Sequence, residues 1–289
     1  VEISQLPSWY VNTIAFIFGA FWGSFANVCI ARIPEGLSIV WPPSRCPKCM
    51  NSIRPWDNIP LISWALLGAK CRDCRAPISA RYPLVELLTA LLSVALALRC
   101  ADVKAYLVYF PLVLMLVVLT FIDLDHWLLP DVITFPGMAA GIGFSILKPI
   151  TPAGIQVDPT AAVVGMLLGG GILYMVALLF RLATGKMGMG GGDIKLLGMV
   201  GAFLGYHSIF PIIFLSALQG SVVGIALLLI RKKDSETPKR DESAGNHEDD
   251  FVPTRSHIPY GPFISLAALE YLFFGPLVFD GLRFFTALS

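Results

Sequence analysis

Residues 105–126 read AYLVYFPLVLMLVVLTFIDLDH. The run from Ala105 to Ile122 carries no charged side chain, close to the roughly 20 apolar residues that cross the hydrocarbon core of a bilayer as a helix. Asp123 and Asp125 then break the run at once. Ionisable groups at membrane depth are costly and face a protein interior or a water-filled cavity, so an acid placed there marks a functional position. Working outward, comparable apolar stretches lie near residues 10–31, 83–98, 132–148, 160–180, 194–206, 209–230 and 260–280. Over all 289 residues, 56% are hydrophobic and only 14% charged, and the mean hydropathy is +0.72. A water-soluble chain carries about 25% charged residues, so ordinary soluble enzymes, disordered scaffolds and small disulfide-stapled domains are excluded. The expected fold is an all-α polytopic integral membrane protein of about eight transmembrane helices. A formal net charge of +1 gives no global basic field for nucleic acid.

The first apolar run has no Lys or Arg before it and reads as a span rather than a cleavable signal. Arg32 follows it directly, and the excess of basic residues on cytoplasmic loops then sets the orientation. With the N-terminus outside, 17 of the 21 Lys and Arg residues fall on the cytoplasmic side, and Arg99, Lys104, Lys148 and Arg283 fall outside. Two polar segments lie on that side. Residues 32–82 form a module too small to hold a core of its own, and residues 231–257 are charged and poor in apolar groups, which reads as a flexible loop. Glycine pairs at GxxxG spacing, such as Gly19/Gly23, Gly137/Gly141, Gly165/Gly169, Gly201/Gly205 and Gly220/Gly224, read as helix-packing positions.

Within the module, Cys46-Pro-Lys-Cys49 and Cys71-Arg-Asp-Cys74 are two CxxC pairs separated by 21 residues. Four thiolates at this spacing close a tetrahedron around a structural Zn²⁺ and tie the segment between them at its base. Two disulfides or redox-active pairs also fit the spacing, although a cytoplasmic location disfavours stable disulfides. Cys29 and Cys100 read as packed cysteines at span ends. The acids within or at the ends of the apolar stretches are Glu86, Asp123, Asp125, Asp131, Asp193 and Glu270, with Asp280 near the far end. Asp193 follows Gly190, Gly191 and Gly192, with Gly188 before them, a run that leaves room for another chain to approach. In the expected topology Asp123 and Asp193 both lie at cytoplasmic helix ends, so the two carboxyls can meet. Such a pair shares one proton and supports aspartic-protease chemistry. Each acid also fits a helix cap, the reading taken for Asp125 and Asp131. His126 fits an interfacial position or a proton relay, and Lys195 fits a cation snorkelling to the phosphate layer.

Taken together, these residues make the chain resemble the bacterial type IV prepilin peptidases. The resemblance is carried by Gly23-Ser24-Phe25-Ala26-Asn27-Val28 with Arg32 and Pro34, the two CxxC pairs, and Arg54-Pro55-Trp56-Asp57-Asn58-Ile59-Pro60. It continues through Arg81-Tyr82-Pro83-Leu84-Val85-Glu86, Ile122-Asp123-Leu124-Asp125-His126, Leu129-Pro130-Asp131, Gly190-Gly191-Gly192-Asp193-Ile194-Lys195 and Ile258-Pro259-Tyr260-Gly261-Pro262. It implies a GxGD intramembrane aspartyl protease of the bacterial inner membrane, with Asp123 and Asp193 catalytic and the active site facing the cytoplasm. The implied substrates are prepilins and pseudopilins of type IV pilus and type II secretion systems, whose assembly machinery is a possible partner. The implied second activity is N-methylation of the new terminus with S-adenosylmethionine, associated with the cysteine module.

Three regions follow: a first transmembrane helix over 1–31, a four-cysteine zinc module and methyltransferase region over 32–82, and a membrane protease domain over 83–289. Gly68-Ala69-Lys70-Cys71 departs from the Gly-Gly-Lys-Cys common among relatives, and no soluble-methyltransferase glycine motif is present. Glu86 and Arg81 are the candidates near a methyl-donor site. Two rival readings are an ion-coupled transporter using Asp123 and Asp193 as proton relays, and a zinc-stapled membrane scaffold with the acids as helix caps.

Overall fold

The computed structural model describes residues 3–152, 154–185, 190–233 and 259–286. Gly188 and residues 234–258, which include Ile258 and most of the expected loop, lie outside them. Apolar runs become helices where the flanking residues can close the ends. Helix α1 spans Ser8–Arg32, and the cysteine module with its single-turn α2 (Ile62–Leu66) follows. Helix α3 is Arg81–Arg99 and α4 is Val103–His126. The Asp102 carboxylate accepts the Ala105 N–H and starts α4, and Trp127 in the left-handed conformation ends it. Those two caps are why α4 outruns the apolar stretch at both ends.

Helix α5 is Asp131–Ser145, with Asp131 in its first turn and Pro130 at the cap position. Helix α6 is Pro159–Thr184, capped by Asp158 and closed by left-handed Gly185. Helices α7 (Gly191–Leu204), α8 (Ile209–Lys233) and α9 (Gly261–Thr286) complete the described fold. No strand occurs among the described residues, only three isolated β-bridges. A helix stands at each of the eight expected stretches. Among the described residues, five are long and apolar enough to cross a membrane: Ser8–Arg32, Arg81–Arg99, Val103–His126, Pro159–Thr184 and Tyr206–Leu227. Helices α5 and α7, at 15 and 14 residues, rise only about 21–23 Å and fall short of a full crossing on their own.

Helix α3 lies along α1, α7 lies between α5 and α6, and α9 contacts both α4 and α8. The central core joins Leu112, Leu116 and Leu119 of α4, Met199 and Phe203 of α7, and Ala268 and Tyr271 of α9, all buried. Leu167, Leu182, Phe210 and Val222 are exposed on the outer helices, as a lipid-facing belt requires. Helices α6 and α7 approach closely at Gly165 and Gly201, where a Cβ on either would strike the other's backbone carbonyl. This is the small-residue packing expected where helices associate without a hydrophobic drive between them.

Candidate active site

Asp123 sits in the last turn of α4, and its side chain is buried. Its Oδ2 accepts the backbone N–H of Gly261, the first residue of α9, at 3.1 Å. That approach demands glycine, because a Cβ at 261 would lie 2.5 Å from the same oxygen. The Pro259–Pro262 segment therefore commits one N–H to the acid. Asp193, half-buried, is the third residue of α7 and close enough to Asp123 for the two carboxyls to act on each other electrostatically. Next to it, Gly192 packs on Leu129, where a Cβ would fall 2.9 Å from the Leu129 Cβ. Tyr260 also feels the Asp193 charge, and its hydroxyl is held 2.8 Å from Ser216 Oγ.

The acids beside this pair are used differently. Arg81 forms an ion pair with Asp125, donates from Nη2 to the Phe121 carbonyl at 3.2 Å and stacks 5.1 Å from the centre of the Phe121 ring. One side chain at the start of α3 thus grips α4 on both sides of Asp123. Lys195 pairs with Asp131 and lies 5.4 Å from the Phe135 ring, so it is an ion-pair partner and not a snorkelling cation. His126 is exposed. Asp123 and Asp193 form no salt bridge among the described residues, an arrangement that leaves both carboxyls open to proton traffic.

The four module sulfurs lie within 4.8 Å of one another. Cys46 Sγ and Cys74 Sγ are 3.8 Å apart, matching the edge of about 3.8 Å of a tetrahedron with zinc–sulfur bonds of about 2.3 Å. All four are free thiols rather than disulfides. Two similar turns present them: Met50 accompanies the first pair with φ 60° and Arg75 the second with φ 59°, and bridges Arg45–Ser52 and Lys70–Pro77 close the turns. Backbone N–H groups of Cys49 and Lys48 pull the Cys46 thiol down to about 6. Cys49 goes the other way, to about 12, because the Asn51 N–H that favours its thiolate is outweighed by desolvation and the neighbouring sulfurs. Four adjacent thiols cannot all ionise unless a cation takes up the charge, so the donor set fits a metal ion. Cys29 and Cys100 are buried and free, as packed cysteines should be.

Fold and site define a multi-pass membrane protein that combines a four-thiol cluster able to hold a metal ion with two carboxyls at helix ends, Asp123 buried and Asp193 half-buried. The chain belongs to the type IV leader peptidase family. The model of that family matches residues 110–225, and the Bacterial Peptidase A24 N-terminal domain matches residues 17–100. A prepilin leader peptidase/N-methyltransferase of Aeromonas hydrophila is 38% identical, over 95% of this chain and 94% of the relative. Relatives of the same name from Myxococcus xanthus and Pseudomonas aeruginosa are 36% and 35% identical, over 94% and 90% of this chain and 94% and 89% of their own. No solved structure matches. The family leaves the transporter reading without support.

Proposed function

We propose that this chain is an intramembrane aspartic endopeptidase that removes the basic leader from type IV prepilins and pseudopilins and then N-methylates the exposed amine with S-adenosylmethionine. The reading is supported by the placement of Asp123 and Asp193 at the ends of two different helices, with Gly192 of α7 and Gly261 of α9 both packed on Leu129 and a backbone donor from α9 on Asp123. The pair holds one proton. One carboxylate takes a proton from water as the oxygen adds to the scissile carbonyl, and the other gives its proton to the carbonyl oxygen; the exchange reverses as the C–N bond breaks and the amine leaves. Burial of Asp123 excludes bulk water from these transfers. Charge asymmetry along the chain supports an inner-membrane protein with this site on the cytoplasmic side, where a basic leader stays while the apolar pilin helix lies among the spans.

Residues 1–31 are assigned as the first span, 32–82 as a module held by structural zinc on Cys46, Cys49, Cys71 and Cys74 and serving methyl transfer, and 83–289 as the protease domain. The experiment compares purified wild type, Asp123→Asn and Asp193→Asn on a prepilin in detergent, following product mass with and without S-adenosylmethionine. Cleavage is expected to fall about 10³-fold or more in both variants, with one methyl gained by the wild-type product only when the donor is present. Full cleavage by either variant removes that residue from the pair.

A further inference from the structure

Helix α2 and the turn before it are built inside out. Ser63 is buried, its hydroxyl donating to the Trp56 carbonyl at 2.9 Å and accepting the Ile59 N–H at 3.0 Å. Ser63 and Trp64 line a cavity of about 460 Å³ that opens between the cysteine module and the ends of α1 and α3. Trp56, Ile62 and Leu66 are not among its lining residues, and they stand 60%, 57% and 82% exposed. A surface helix in water does the opposite, burying its apolar stripe and turning its polar face out. From this inversion, and from the depth at which it lies, we infer that α2 is an interfacial anchor. It seats Trp56, Ile62 and Leu66 among the phospholipids of the membrane that the chain spans, and so holds the module against the bilayer. The inference rests only on the multi-pass fold and goes beyond both proposed activities.

The depth of α2 is set by the membrane-crossing helices. The Leu61 N–H, directly before α2, donates to Glu86 Oε2 at 2.8 Å. Glu86 stands on α3 about 7 Å along the axis from Arg81, where that helix begins. Leu84, Leu87 and Leu88 of the same turns are exposed, so lipid stands at that level. On the neighbouring helix the cavity reaches Ser24 of α1, and Phe25 beside it is exposed. The headgroup layer is about 5–7 Å thick on each side of the hydrocarbon core, so α2 lies within it, where tryptophan side chains concentrate.

Charge fits the same surface. Arg54 and Lys70 bracket the segment and are exposed. The only acid between them, Asp57, accepts two hydrogen bonds from Arg72 at 2.5 and 2.8 Å. An apolar face flanked by cations is what an anionic phospholipid surface binds. A soluble partner or a second copy would cover the apolar side chains without accounting for their lying level with the exposed leucines of α3.

The test uses the full chain in nanodiscs of phosphatidylethanolamine and phosphatidylglycerol. A nitroxide is carried on p-acetylphenylalanine in place of Leu66, so that the six cysteines stay untouched. Molecular oxygen concentrates in lipid and a nickel chelate in water, and the ratio of their collisions with the label gives its depth. The label is expected about 5–10 Å into the boundary between headgroups and acyl chains. A second label, in place of Ile62, is expected at that depth in the otherwise wild-type chain and in water in Leu66→Asp, with metal content unchanged to show that the module is still folded. Three results overturn the inference: a label at 66 that meets the nickel chelate freely, one shielded from both reagents by protein, or one at 62 that keeps its depth in Leu66→Asp.

Discussion

The four thiols come from two turns separated by 21 residues, whereas the carboxyl pair and its backbone donor come from three helices spread over residues 123–261. The module leaves Trp41, Trp56 and Leu66 exposed and has little core, so its geometry depends on the sulfur cluster. Around the carboxyls, Leu116, Leu119, Met199 and Ala268 are fully buried, and the site is held by helix packing. One region depends on its thiol cluster and the other on what surrounds it, so they should fail under different insults.

Short of removing a carboxyl itself, the largest effect is expected at Gly261. Gly261→Val places a Cβ 2.5 Å from Asp123 Oδ2 and forces the acid to shift, and displacing a reacting group by even about 1 Å costs on the order of a hundredfold. Prepilin cleavage should fall by that factor while metal content is unchanged, as read by kinetics and elemental analysis. Cleavage at the wild-type rate would show that the packed region tolerates a shift of its acid and would break the contrast. The second insult is chelation, or Cys46→Ser. Because metal binding supplies the folding energy of so small a module, protease sensitivity should rise within 32–82 and methyl transfer should drop more than about tenfold. Cleavage should change less than about threefold; a parallel collapse would mean that the two regions fold as one.

These regions also differ in how far the sequence reveals them. The CxxC pairs carry their geometry in local spacing, so their convergence is legible in the chain itself. The helices are legible too, with edges displaced where caps such as Asp102 and Trp127 lengthen α4. Asp123 and Asp193 can be picked out singly as acids at helix ends. Their shared neighbour cannot, because the Gly261 contact spans 138 residues and leaves no periodic mark. Lys195 pairs across 64 residues with Asp131, and Arg81 reaches 40 residues to Phe121. Such ion pairs depend on how α3, α4, α5 and α7 pack, which no local pattern encodes. The cavity between the module and the ends of α1 and α3 is likewise a product of that packing.

Arg81 joins the two regions, and it sharpens the comparison at intermediate magnitude. Arg81→Ala removes the hold on Phe121 and Asp125 without touching either carboxyl of the pair. Cleavage kcat should fall about tenfold with KM changed less than about threefold, and Arg81→Lys should recover part of the loss through the retained charge. A variant that changes KM alone would make Arg81 a substrate-binding group instead of a positioning residue.

The smallest effect is expected at the two turns that carry the thiols. Met50 and Arg75 hold φ near 60°, a left-handed conformation costly for residues with a Cβ and free for glycine. Met50→Gly and Arg75→Gly should therefore be neutral or stabilise the module by up to about 1 kcal/mol, read as the free metal concentration at which half the module becomes protease-sensitive. Both side chains are exposed, so little packing is lost to offset the relief. If either substitution weakens metal retention more than about tenfold, the side chains at these turns contribute to the module beyond their backbone. It would then be held partly by packing, as the carboxyl region is.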